Sequence, residues 1–211
     1  MTDYQTIQES FWAGKFGDEY VGRNQGESCV EANTALFAKV FNRAKGVRSI
    51  LEIGPNIGLN LRAIRNLLPA VDLSGVEINE TAVRELRNWG EMKNIMHQSL
   101  LDYQPTEQFD FVFTKGVLIH LCPDLLPDVY QLLYKASFQY ICVAEYYNPS
   151  PVSVPYRGHD DKLFKRDFAG EIMDLYPDLK LVDYGFCYHR DSDCPQDDIT
   201  WFLLKKTGGY E

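Results

Sequence analysis

The chain has 211 residues, 45% hydrophobic and 24% charged, the composition of one ordinary globular domain rather than a disordered or collagen-like chain. Acids outnumber bases 30 to 21, a net charge of −9. That argues against nucleic acid or an anionic membrane as partner, because polyanion binders need a basic face.

The first 45 residues read as helical, with Val30, Leu36, Phe37, Val40 and Phe41 as the apolar stripe and no strand pattern. They are expected to form a helical cap over residues 46–211. The start of the chain shows no basic stretch leading into an apolar core, so no secretory leader is expected. From residue 48 strand-like and helix-like stretches alternate, the mark of an α/β sheet. Arg48–Ile53 reads as a buried strand and Ile57–Leu68 as a helix ended by Pro69. Asp72–Glu77 is a second strand, and Asn79 is placed to cap a helix running to Trp89. Short strands follow at Asn94–Gln98 and Phe109–Thr114. Asp124 is placed to cap a helix through Ser137, and Tyr140–Glu145 is the next strand.

Residues Tyr147–Arg166, rich in Pro, Ser, Gly and charge, read as a long loop of the functional kind. After a helix at Asp167–Leu175, Leu179–His189 and Ile199–Lys205 read as strands joined by the acidic loop Arg190–Asp198. No helix fits between them, so this last pair must be antiparallel. The expected plan is a cap, five strand–helix units and a terminal hairpin. Five scattered cysteines without a CxxC pair point to reduced thiols in the cytoplasm. No spacing marks a metal site, His159-Asp-Asp161 included.

Where the first strand meets its helix stands Ile50-Leu-Glu-Ile-Gly-Pro-Asn-Ile-Gly-Leu-Asn60. Gly54 and Gly58 let the backbone approach a ligand. The turn departs from the dinucleotide pattern, with Asn56 at its second glycine position, which disfavours NAD. The second strand ends at Glu77, whose carboxylate can accept both ribose hydroxyls of a nucleoside. Asp102 follows the third strand. The three acids fall at successive strand ends, where ligands of such sheets bind.

The spacing Glu52-x-Gly54-x-Asn56-x-Gly58 resembles motif I of class I S-adenosylmethionine-dependent methyltransferases, with Asn, which tolerates a left-handed backbone, at the middle position. The resemblance covers residues 45–206. It implies a Rossmann-like fold, a mostly parallel seven-stranded sheet with a C-terminal antiparallel hairpin, and S-adenosylmethionine as cofactor. By it, Glu52 and Gly54 face the methionine end, Glu77 the ribose, and Asp102 the adenine, with Leu101 offering its amide; Asn56, Gly58 and Ile78 also belong to the cofactor set. Lys115 completes the cofactor set, with an anionic substrate group as its other use. Val117-Leu-Ile-His-Leu121 is similar to the L-x-H stretch of small-molecule methyltransferases. Residues 11–24 and 184–201 are similar to methylases associated with pseudaminic acid biosynthesis. This implies a small polar metabolite as substrate, such as a sugar or sugar nucleotide of a nonulosonic acid pathway.

A hydroxyl acceptor needs a general base. His120 is the first candidate, because its ordinary pKa suits proton transfer near neutrality. Tyr146 and His159 are the others. Tyr20, Arg23, Tyr147, Asn148, Arg157 and Arg166 are candidate substrate contacts; the two last can fork onto a carboxylate or phosphate. Trp12, Phe16 and Asn24 belong with Tyr20 in the cap, where they would exclude water. Two other readings remain open: a binding module that holds the cofactor without catalysis, and an NAD-dependent oxidoreductase.

Overall fold

The computed structural model describes residues 4–23 and 26–208, with the backbone alone of residues 159–161. Asn24 lies outside the described residues. Three helices come first: α1 (Ile7–Ala13), α2 (Lys15–Arg23) and α3 (Glu27–Arg43). Then follow β1 (Ser49–Ile53), α4 (Leu59–Leu67), β2 (Asp72–Glu77), α5 (Glu80–Trp89), β3 (Asn94–His97) and β4 (Phe109–Lys115). After α6 (Leu126–Ala136) and β5 (Ser137–Glu145) come β6 (Val152–Tyr156), β7 (His159–Lys165), α7 (Phe168–Leu175), β8 (Leu179–Cys187) and β9 (Ile199–Lys206).

Seven strands form one sheet in the order β3-β2-β1-β4-β5-β9-β8. The five on the β3 side run parallel, and β9 runs against both β5 and β8, as expected for the terminal hairpin. Apolar layers cover both faces. Leu51, Ile53, Val112 and Ile141 pack on one side with α6 and α7, while Ile50, Leu73, Phe111 and Cys142 pack on the other with α3 and α4. Burial on both faces explains why β1 reads as an unbroken apolar run apart from Glu52. The α3 stripe, with Phe37 and Val40 fully buried, belongs to this core, whereas α1 and α2 lie over the carboxyl ends of the strands.

Four expectations change. Helix α4 begins at Leu59 rather than Ile57, because the Asn56 side-chain Oδ1 accepts the Ile57 amide at 2.8 Å and Gly58, at φ +80°, caps the helix. Asp124 makes no cap. It sits in a 3-10 turn at Pro123–Leu125, and α6 starts beyond it with proline in its first turn. The third strand has no helix after it, only the turns of residues 98–108, which include Pro105. Most of the expected long loop is the β6–β7 hairpin, turned by Arg157 (φ +49°) and Gly158 (φ +82°). Both central residues are left-handed, the geometry that joins twisted strands through two residues. No helix among the described residues is long and apolar enough to cross a membrane.

Candidate active site

The β1–α4 turn is left-handed at three positions. Gly54 has φ +72°, and a Cβ there would stand 2.7 Å from Val117 Cγ2. Gly58 is similarly closed by Leu86 at 2.7 Å. Asn56, at φ +51°, takes the third position, as its tolerance of that region predicts. Glu77, at the end of β2, ties this turn to the next: one oxygen accepts the Asn56 amide and the other the Asn79 amide, each at 2.8 Å. Burial raises its pKa, partly offset by these bonds.

Glu52 is fully buried. Its Oε1 accepts from Asn60 Nδ2 at 2.6 Å, and its Oε2 is buried without a partner. Burial pushes its pKa from 4.5 to about 8, the Asn60 bond and the Lys115 charge holding it back. A group that binds its proton more tightly folded than unfolded loses its stabilising contribution as pH rises between those two values. The ligand-free chain is therefore expected to lose stability from pH 4.5 to 8, and Glu52→Gln to flatten that slope; thermal melts across this range check it.

A cleft of about 320 Å³ opens at the carboxyl ends of β1, β2 and β4, within the usual range of small-molecule sites. Tyr20, Gly54, Asn56, Glu77, Ile78, Leu101, Lys115 and His120 all line it. His120 ends a 3-10 turn (Leu118–His120) and is held between Trp12 and Tyr156, each ring centroid 4.8 Å away. Its Nδ1 donates to the Lys162 carbonyl at 2.6 Å. A carbonyl only accepts, so Nδ1 carries the proton of the neutral ring and Nε2 keeps a free lone pair. Burial pushes the His120 pKa down to about 4, against the pull of that hydrogen bond, so the near-neutral pKa that made it the first candidate base is not kept, and the ring is neutral at physiological pH.

No family model matches the sequence, and no curated protein sequence matches it. Solved structures do. An S-adenosylmethionine-dependent methyltransferase of Leishmania major superposes with TM-score 0.69 at 15% identity, over 94% of this chain and 81% of that one. The Burkholderia thailandensis 1,6-didemethyltoxoflavin-N1-methyltransferase, with 1,6-didemethyltoxoflavin and S-adenosylhomocysteine bound, gives 0.67 at 13% identity, over 95% and 87%. The plantazolicin methyltransferase BpumL, in complex with S-adenosylhomocysteine, gives 0.65 at 14%, over 94% and 93%. The chain has the class I methyltransferase fold.

Within this methyltransferase fold several expected site residues lie away from the cleft. Asp102 is exposed, and its carboxylate accepts from Gln5 Nε2 at 2.9 Å. Leu101 lines the cleft, but its amide is taken by Ser99 Oγ at 3.1 Å. Glu52, fully buried, is not among the residues that line it. Gly58 is not among the residues that line the cleft and instead caps α4. Arg23 is exposed over Phe16 and near Glu19, and Arg157 is exposed at the β6–β7 tip. Arg166 is bound to Glu171 at 2.6 Å. Tyr147 rests on Phe202, and the Asn148 side chain bonds the Ser150 carbonyl. Tyr146 is half-buried under Lys165, and burial, with Asp197 nearby, raises its pKa, so the phenol is no base at neutral pH. The His159 side chain lies outside the described residues.

The structure adds residues that sequence reasoning passed over. Glu9 of α1 is buried, closes the capping box with Thr6, and bonds Ser99 at the cleft wall. Its signal was legible as Thr6-x-x-Glu9. Asn33 and Gln196 also line the cleft. Nothing local marks either, since each is delivered by tertiary packing.

Proposed function

We propose that the chain is an S-adenosylmethionine-dependent methyltransferase acting on a small polar metabolite. One observation carries the cofactor assignment: behind the left-handed β1–α4 turn, whose Gly54, Pro55 and Asn56 line the cleft, the buried Glu52 Oε2 has no protein donor. An ammonium at the methionine end of the cofactor is the kind of donor it lacks. When bound, S-adenosylmethionine supplies a methyl group already activated on a sulfonium. The Glu77 oxygens accept the Asn56 and Asn79 amides, with the Ile78 amide a third neighbour, and a carboxylate has about four acceptor sites, which leaves room for a ribose hydroxyl. Helices α1 and α2 bring Trp12 and Tyr20 over the cleft, where they exclude water. His120 Nε2 accepts the proton of a hydroxyl acceptor. The likeness of residues 11–24 and 184–201 to pseudaminic-acid-associated methylases supports a sugar or sugar nucleotide as the acceptor.

Calorimetric titration tests the reading. S-adenosylmethionine and S-adenosylhomocysteine are both expected to bind at micromolar concentration. If neither binds at millimolar concentration, the reading is wrong. Binding without turnover on any acceptor would make the chain a cofactor-binding module instead. If His120 is the base, kcat/KM stays level through neutrality and falls as pH drops through about 4. His120→Asn is expected to lower kcat at least about 100-fold.

A further inference from the structure

The cleft has two ends. Glu77 and Leu101 stand beyond β2 and β3 at one. Lys115, at the end of β4, and the loop of residues 188–198 stand at the other. Thr200 pairs with Glu145 and Ile199 with Cys187, so this loop emerges beside the carboxyl end of β5. It is a built structure rather than a solvated acidic run. Asp198 accepts from the His189 amide at 3.0 Å and lies 2.9 Å from its Nδ1, and Asp191 Oδ1 accepts the Asp193 and Cys194 amides.

Pro195, Gln196 and Asp197 line the cleft. Gln196 Nε2 donates to the Ala32 carbonyl at 2.9 Å. A carbonyl only accepts, so the amide has one orientation. It leaves Oε1 buried with no hydrogen-bond partner. Such an acceptor costs free energy until a donor meets it, and Gln196 stands on the cleft wall, where a bound ligand can bring one. Lys115 presents the complementary charge. Its ammonium makes no hydrogen bond or ion pair among the described residues; burial lowers its pKa, and Glu52, Asp197, Cys187 and Glu145 act on it only at longer range. An anion beside it recovers what burial costs the cation.

We propose that this end of the cleft is the methyl-acceptor subsite and that it selects a small carboxylate carrying a hydroxyl or amine. Gln196 Oε1 accepts from the hydroxyl or amine, and Lys115 pairs with the carboxylate. The assignment rests on the methyltransferase reading above. Asp197, exposed beside them, offers a second acceptor to a polyhydroxylated or aminated molecule.

The test begins with calorimetry of S-adenosylhomocysteine on the whole chain. Absence of binding overturns the underlying reading, and this assignment with it. Product formation is then followed with two matched pools, hydroxy- and amino-carboxylates in one and their neutral amides and esters in the other. Turnover is expected in the carboxylate pool alone. Lys115→Met is expected to lower kcat/KM for the best acceptor at least about 100-fold, with S-adenosylhomocysteine affinity changed less than about threefold. Gln196→Met is expected to raise KM at least about tenfold with kcat within about threefold. Retained cofactor affinity shows that each variant is folded. Turnover in the neutral pool, or in neither, overturns the assignment. So does a KM unmoved by Gln196→Met. A Lys115→Met variant that loses S-adenosylhomocysteine affinity overturns it too, because the ammonium then serves the cofactor's own carboxylate.

Discussion

Glu77→Ala is expected to weaken S-adenosylhomocysteine binding at least about 100-fold, roughly 2.7 kcal/mol. Hydrogen bonds to a charged acceptor contribute about 1.5–3 kcal/mol each, and the proposed ribose contact has two. The same substitution releases the Asn56 and Asn79 amides, which loosens the β1–α4 turn and the start of α5. Two contributions are therefore mixed in one number. Titrating the 2′,3′-dideoxy analogue separates them. If the carboxylate holds the ribose, the analogue binds wild type weakly, and Glu77→Ala costs it much less than it costs the natural ligand. If the variant weakens both ligands equally, Glu77 acts only through the turn. Unchanged affinity for S-adenosylhomocysteine would remove the ribose assignment altogether.

The parallel half of the fold was legible because its signals are local. A strand buried on both faces is a short apolar run, and Asn79 caps α5 by accepting the Ala82 amide three residues on. Asn56 could be read because a left-handed residue in a tight turn restricts residue type. What escaped were matters of partnership. The β6–β7 hairpin hid among prolines and charges, its Arg157-Gly158 turn lacking the usual Asn or Asp. Asp102 follows the third strand as expected, yet Gln5 from the N-terminal segment, 97 residues away, takes its carboxylate. Gln196 sits in a stretch of acids that reads as solvent-facing, and Ala32, 164 residues away, fixes its amide. Such contacts follow from how α1, α3 and the β8–β9 loop close over the strand ends, and no spacing in the chain encodes that. Glu145 shows the same limit. It reads as the last residue of the Tyr140–Glu145 strand, and nothing local marks that the structure turns it inward.

Glu145→Ala is expected to cost about 3 kcal/mol of stability, lowering the melting temperature by roughly 10 °C for a domain of this size. Glu145 Oε1 accepts Thr114 Oγ1 at 3.1 Å and the Val117 and Leu118 amides at 3.0 and 3.2 Å; Oε2 accepts the Ile119 amide at 3.4 Å. One buried carboxylate thus ties the end of β5 to the turn that carries His120, and removing it strands four donors. The turn forms the cleft wall through Gly116, Val117 and His120, so cofactor affinity is expected to fall with stability. Glu145→Gln separates packing from charge. Its carbonyl can replace Oε1, while its NH₂ opposes the Ile119 amide, so its loss should be about 1 kcal/mol. The pH dependence has a definite sign. Burial pushes the Glu145 pKa from 4.5 up to about 7 despite the four bonds. Between those values the folded chain holds a proton that the unfolded chain has released, so wild-type stability declines as pH rises. The variant has no such group, and the gap between the two proteins should narrow from pH 5 to pH 8 in denaturant titrations. A gap that widens would mean that the four hydrogen bonds outweigh burial and hold Glu145 ionised in the folded chain.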